Sequence, residues 1–393
     1  MKKVIITDLL ILAVFGSTCF WSVKKDRLTA LVDKILTEQT SEDEEILVLT
    51  SSNLAKKNGQ IGETQMSENA DKASEENTTK DYIKWVDFTV SKFALTESYE
   101  YDRDTYGTDR HISWIDLLAW TAAHTGGKFG DDRTVCKCME ELEMEAEAGK
   151  KLEELTEDLE YFPYYREVYE TVLGGMVGEY EIEEPDAQGR KVTQKRYGLK
   201  AFHPIAKGFP YTDYDDFGAS RSYGYRREHL GHDMMGQVGT PVVCVESGYV
   251  EALGWNQYGG WRIGIRSFDK KRYYYYAHLR QGFPYQSELK EGSVVLAGDV
   301  IGYMGHTGYS TKEDVNNIDQ THLHVGMQLI FDESQKDSDN EIWIDCYQIM
   351  GFLYRNQSET ARNDETKEWR RIYEMKDPAA EKYERTLDFS MYP

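Results

Sequence analysis

The stretch Arg226–Arg227–Glu228–His229–Leu230–Gly231–His232–Asp233 sets an imidazole and a carboxylate four residues apart around a glycine. Much further along, Thr321–His322–Leu323–His324 sets two imidazoles on either side of a leucine. If the fold joins the two segments, three protein ligands converge on a small cation while one histidine stays free. That is the pattern of a catalytic zinc site, whose fourth position is left to water. In a helical zinc motif the ligands share a face at i and i+4. Here Gly231 and the following Gly239–Thr240–Pro241 argue against a helix and place His229 and Asp233 on a loop entering a strand. His322 and His324 precede an alternating Val325, Met327 and Leu329, which reads as a strand. Side chains at i and i+2 of a strand share a face, so both histidines look into one groove while Leu323 points away.

The chain has 393 residues, 40% hydrophobic and 13% aromatic, which suffices for a core and for more than one domain. A formal net charge of -23 argues against a nucleic-acid partner, since phosphate binding wants a basic surface. Acid crowds residues 38–45 and 140–160, where solvated surface is the plain reading. Five cysteines (19, 136, 138, 244 and 346) show no repeated C-x-x-C spacing, so incidental or buried thiols are expected rather than a cysteine metal site or a disulfide framework.

The expected architecture is α+β and multidomain: a membrane anchor, a helical accessory module and a mainly antiparallel β domain with a groove. Lys2–Lys3 precede an apolar run to about Val23, long enough to span a bilayer, with Phe20 and Trp21 suited to an interface. Residues 1–27 are read as a signal anchor that leaves the rest on the wall side of the membrane; secretion after signal cleavage is the alternative. Residues 28–80 are acidic, rich in Ser, Asn and Thr, and poor in aromatics, as in a flexible stalk. Residues 81–182 read as helical: Ser113 is a candidate N-cap, Met139, Leu142, Leu152, Leu155 and Leu159 recur at helical spacing, Pro163 interrupts, and Gly174–Gly175 close a helix. This module carries no evident chemistry and is expected to space, dock or cover the next domain, or to meet a protein partner. A polar link at 184–189 leads to a β-rich domain at 190–355, and 356–393 are expected to be a charged helical tail. Seven of the nine histidines fall between 203 and 324, which places the chemistry there.

Six blocks in order carry a family likeness: His229 to Val242 (H-L-G-H-D-x-x-x-x-x-G-T-P-V), Ser247–Gly248–Tyr249–Val250, Tyr276–Ala277–His278–Leu279, Gly298–Asp299–Val300–Ile301–Gly302, Gly305–His306–Thr307–Gly308, and His322–Leu323–His324. The region from Phe202 to Leu329, about a third of the chain, resembles the LytM/lysostaphin-type zinc metallopeptidases, which carry the duplicated hybrid motif and cleave peptide bonds of bacterial peptidoglycan. The resemblance implies a largely antiparallel β fold with the metal on the floor of a long groove. It implies Zn2+ held by His229, Asp233 and His324, catalytic histidines at His278 and His322, and a peptidoglycan peptide as substrate. A non-hydrolytic wall-binding or scaffolding protein of a sporulation or division complex is the alternative; such relatives often lose a ligand, and all five positions are filled here.

The chain departs from the family in residues 312–320, an insertion between the Thr-Gly turn and the H-x-H strand that should wall or flap the groove. No H-E-x-x-H glutamate is present, so His278 or His322 is expected to take the water proton while the other donates to the oxyanion. His232 and His306 match no family role and are expected at the groove edge or exposed. Tyr273–Tyr276 should be strand packing with a phenol able to reach the groove, and His203–Pro204 a strand start. Trp255, Tyr258 and Trp261 could line a sugar or peptide rim or pack a hairpin.

Overall fold

The computed structural model describes residues 88–390 apart from 224 and 337–340. The expected anchor and stalk, with Cys19, lie outside the described residues. No helix among those described is long and apolar enough to cross a membrane.

The described chain begins with five helices: α1 (Lys92–Thr105), α2 (Trp114–Thr125), α3 (Asp132–Glu147), α4 (Leu152–Thr156) and α5 (Phe162–Leu173). Ser113 caps α2 as its position suggested, its hydroxyl accepting from the Asp116 amide, and Gly126 ends it in the left-handed region at φ 63°. Trp114 to Ala122 are all buried, because α2 is the central helix and packs against α1, α3 and α5. Pro163 opens α5 rather than interrupting a helix: in the first turn its missing N–H has no intrahelical partner to lose. Gly174 caps α5.

A hairpin follows, β1 (Val177–Pro185) with β2 (Lys191–Leu199). The segment expected to be an interdomain link is its turn, closed by Asp186 Oδ1 accepting from the Gln188 and Arg190 amides at 2.9 and 2.8 Å. The catalytic-looking half is built on an eight-stranded antiparallel sheet. Its strands are β3 (Thr212–Asp213), β6 (His232–Met235), β8 (Gly248–Asn256), β9 (Gly260–Ser267), β10 (Arg272–Ala277), β11 (Val294–Val295), β13 (His322–Leu329) and β14 (Ile342–Ile344). A hairpin of β4 (Ser220–Tyr223) and β5 (Tyr225–Glu228), and a pair of β7 (Pro241–Val243) with β12 (Val300–Tyr303), flank it. The tyrosine run alternates as a strand must: Tyr274 and Tyr276 are fully buried, while Tyr273 and Tyr275 line a groove on the other face.

Ile349, Met350, Phe352 and Leu353 pack into the core from α6 (Tyr347–Leu353) as expected. The tail beyond is not purely helical. It forms β15 (Thr360–Arg362) with β16 (Trp369–Arg371), then β17 (Met375–Lys376) on the edge of β1, before ending in α7 (Pro378–Ser390). The charged pattern alone suggested helix, but edge pairing and an Arg371 Nη1 bond of 2.9 Å to the Ala297 carbonyl hold this backbone extended.

The described residues all belong to one compact unit. One continuous apolar core runs from α1–α5 through the sheet to α6. It encloses an ionic knot. Arg272, 1% exposed, donates from Nε and Nη2 to both Glu246 oxygens at 2.7 and 2.9 Å, and from Nη1 to the Thr171 carbonyl at 2.6 Å. That carbonyl lies in the last turn of α5, where the helix leaves acceptors unmet. The guanidinium therefore ties the helices to β10.

A half-buried carboxyl makes the helices sensitive to pH. Burial, and then the charges of Glu140 and Glu97, push the Glu143 carboxyl up to about 7 from 4.5. An acid that holds its proton more tightly when folded adds full stability below its unfolded pKa and loses it as pH rises through the folded value. Glu143→Gln mimics the protonated form. It is expected to leave stability unchanged near pH 4 and to raise it near pH 8 by on the order of 2 kcal/mol, read as a higher thermal midpoint there. A midpoint that stays put at pH 8 would refute this.

Candidate metal centre

Register builds the site. β13 and β6 pair antiparallel with His324 directly opposite Asp233 and His322 opposite Met235, while Ala277 pairs with His324 on the other side. Directly opposed residues stand close enough for their side chains to meet. His322 and His324 share the groove face and Leu323 is fully buried beneath, as alternation requires. His229 enters from the end of β5. Gly231 lets it do so: a Cβ there would stand 2.5 Å from His324 Nε2 and 2.8 Å from the Val325 carbonyl, so only glycine fits.

The three atoms His229 Nε2, Asp233 Oδ1 and His324 Nδ1 form a near-equilateral triangle. Their separations are 3.0 Å (His229 to Asp233), 2.9 Å (His229 to His324) and 3.0 Å (His324 to Asp233). His229 Nδ1 faces the Asp216 carbonyl at 3.1 Å, an acceptor only, so it carries the proton and the neutral ring offers Nε2 as a lone pair. Two acceptors, His229 Nε2 and Asp233 Oδ1, thus stand 3.0 Å apart in the neutral form. A cation shared among all three removes that opposition. Tetrahedral ligands about 2.0–2.1 Å from zinc lie roughly 3.3 Å from one another, close to what the triangle provides. Among the described residues this is the one group whose ligand atoms cluster in this way.

His278 and His322 complete the ring of imidazoles, their centroids 4.7 Å apart. His278 Nδ1 donates to the Thr307 carbonyl at 3.0 Å and His322 Nδ1 to the Gln320 carbonyl at 2.8 Å. Each therefore keeps Nε2 free of its own proton when neutral. His322 Nε2 is 3.7 Å from Asp233 Oδ1. His278 adopts φ 61°, rare for a residue with a Cβ. Its amide donates to Gly259 and its carbonyl accepts from Gly305, at 2.8 and 3.0 Å, which fixes that geometry.

Electrostatics follow from crowding. Burial disfavours charge on Asp233, yet donation from the His229 and His324 rings in their protonated forms, with the His324 and His322 charges, outweighs it and holds its carboxyl well below the usual range. Burial, then the charges of His322 and His324, hold His278 well below its ordinary value.

Two contributors escaped the sequence reading. Asp216, 6% exposed, orients His229 with its carbonyl and with Oδ2, 3.2 Å from Nδ1. Arg221 bonds Asp216 and lies 3.4 Å from Asp233 Oδ2, leaving Oδ1 to the triangle. The acidic Asp213–Asp216 segment was the only hint, and no spacing rule reads it.

Other expectations resolve variously. His232 is not at the groove edge: it is 2% exposed, its Nε2 2.9 Å from Asp213 Oδ2, because neighbours on β6 face opposite sides. His306 is half-buried, with Nδ1 donating to Ile318 at 2.8 Å. Trp255 and Trp261 pack edge to face at 5.7 Å within the hairpin, whereas Tyr258 lines the groove. The insertion is a pinned wall. Asp314 Oδ1 accepts from Trp261 Nε1 and the Gly282 amide, both at 2.8 Å, and Asn317 to Gln320 line the groove. The groove encloses about 930 Å³, and every residue lining it falls between 214 and 343, none on the helices.

Comparison with known proteins bears on the same segment. Residues 227–338 match the model of Peptidase family M23. The L-Ala–D-Glu endopeptidase of Bacillus subtilis (strain 168) is 42% identical over 124 residues, 32% of this chain and 36% of that protein. Lysostaphin of Staphylococcus simulans is 39% identical over 84 residues, 21% of this chain and 16% of its own. The chain thus spans about a third or less of the length of these relatives. The crystallised catalytic domain of S. simulans lysostaphin aligns over 36% of this chain and 92% of its own, at 29% identity and a TM-score of 0.28.

Proposed function

Residues 227–338 are a Peptidase family M23 domain of the LytM/lysostaphin type, and from that premise we propose that this protein is a zinc-dependent endopeptidase acting on peptide bonds of bacterial peptidoglycan. The observation that carries the reading is the triangle of His229, Asp233 and His324 atoms, 2.9–3.0 Å on each side, all three residues lining a groove of about 930 Å³. Bound there, zinc supplies a Lewis acid that polarises a carbonyl and brings the pKa of water to about 7.

The chain's own residues do the rest. Because their Nδ1 protons are tied to backbone carbonyls, His278 and His322 each present Nε2 to the groove as a base when neutral and as a donor when protonated. One takes the proton of the attacking water and the other donates to the oxyanion that develops on the scissile carbonyl. The accepted proton then passes to the leaving amine. Asp216 and Arg221 hold His229 and Asp233 in place. Attachment to the membrane through residues 1–27, with the peptidase on the wall side, belongs to this proposal, as does a protein partner for the helical module.

Incubating the full chain with purified bacterial cell wall tests it. Soluble fragments with new amino termini are expected, with release falling on the order of a hundredfold in a chelator and returning when zinc is added back. Release that is absent, or indifferent to the chelator, would overturn the proposal.

A further inference from the structure

We propose that Arg227 and Arg262 recognise a carboxylate on the substrate, so that the groove prefers an acidic stem-type peptide over a neutral glycine bridge. The inference rests on the peptidase reading above and names its substrate class.

Three other arginines of the strands are matched with carboxylates: Arg221 with Asp216, Arg266 with Glu333, Arg272 with Glu246. Arg227 and Arg262 differ. Both line the groove that holds the metal ligands, and neither has a carboxylate partner among the described residues. Nη1 of Arg262 and Nε of Arg227 are buried with no hydrogen-bond acceptor. Glu228, Asp319 and Glu341 also line the groove, yet none of them pairs with either arginine. In a chain of net charge -23 this is an unusual place to leave two cations unmatched. Buried donors without partners are costly, and a ligand that supplies the acceptors recovers that cost.

The guanidinium of Arg227 is also held in advance. It lies 5.4 Å from the Tyr258 ring and 5.2 Å from the Tyr309 ring, and Nη2 donates to the Tyr309 hydroxyl at 2.6 Å. Arg262 rises from β9. Both line the same groove as Tyr275, whose ring is 5.9 Å from that of His324. Guanidinium is the group that matches a carboxylate with paired N–H donors. A glycine bridge offers only amides and carbonyls. An L-Ala–D-Glu segment carries a carboxylate beyond the one used in chain linkage.

The test uses the full chain, zinc-loaded, and two peptides that differ in one group: an L-Ala–D-Glu peptide with its free D-Glu carboxylate, and the same peptide with that carboxylate amidated. Binding is measured in a His322→Ala background, which holds peptide without turnover, and cleavage is measured separately in the parent. The acid is expected to bind about tenfold or more tightly than the amide, with Arg262→Gln and Arg227→Gln each bringing the ratio towards one. A His322→Ala chain that binds both equally, or neither, overturns the inference whatever the arginine variants do. A preference that survives both substitutions overturns it as well. Acid-selective binding with no cleavage of either peptide would uphold the arginines and refute the peptidase; equal cleavage of both would do the opposite.

Discussion

Replacing His324 by alanine is expected to empty the metal centre and to lower kcat/KM on cell wall by about a thousandfold or more, leaving only peptide binding and the oxyanion donor. The expectation follows from the triangle. His324 Nδ1 is the vertex that meets both His229 Nε2, at 2.9 Å, and Asp233 Oδ1, at 3.0 Å. Its loss leaves two protein ligands, too few for a tightly held zinc ion. Metal content measured on the purified full chain checks the structural half and fragment release checks the chemical half. His278→Ala supplies the contrast: it should keep the metal and lose activity, because its Nδ1 is tied to Thr307 and no atom of it joins the triangle. Stoichiometric zinc in the His324→Ala chain would remove the centre as drawn. Activity that persists without zinc would remove the mechanism.

Glu246→Ala is expected to cost about 3–5 kcal/mol of stability, the loss typical of stranding one member of a buried pair. Glu246 accepts both forks of Arg272 and the Tyr274 hydroxyl, so its removal leaves a guanidinium 1% exposed with only Asp269 and the Thr171 carbonyl. Burial itself opposes the charge on Arg272, and Glu246 is what outweighs it. Gly175 adds a steric limit, since a Cβ there would stand 1.7 Å from Glu246 Oε1. Denaturant midpoints measure the effect. A Glu246→Met, Arg272→Met chain should recover much of the loss by removing the stranded charge along with its partner. A single substitution that costs under about 1 kcal/mol would show that Asp269 suffices.

The histidines that the fold brings together were legible because period and spacing are local properties. Alternation through His322–Leu323–His324 sets two imidazoles on one face wherever the strand goes. Gly231 signals a break in helix whatever packs against it, although its actual reason, the approach of His324 Nε2, appears only in three dimensions. Segment 184–189 misled for the opposite cause. Its polar turn residues suit a linker and a hairpin equally, and only the pairing of β1 with β2 separates them. The tail misled likewise: β17 is extended because β1 offers it an edge.

By itself, the sequence picked out the residues that the fold gathers into the candidate metal centre, the strand that faces the groove and the family blocks that recur, since these depend on side-chain chemistry and on periods of two. Only the tertiary structure decided that Asp216 and Arg221 brace the ligands, that His232 turns inward, that the insertion is pinned as a wall, and that Arg227 and Arg262 stand unmatched beside the site. The physical reason is that burial and pairing are relations between distant segments. A residue's type fixes what it can bond, and the fold alone fixes whether a partner is there.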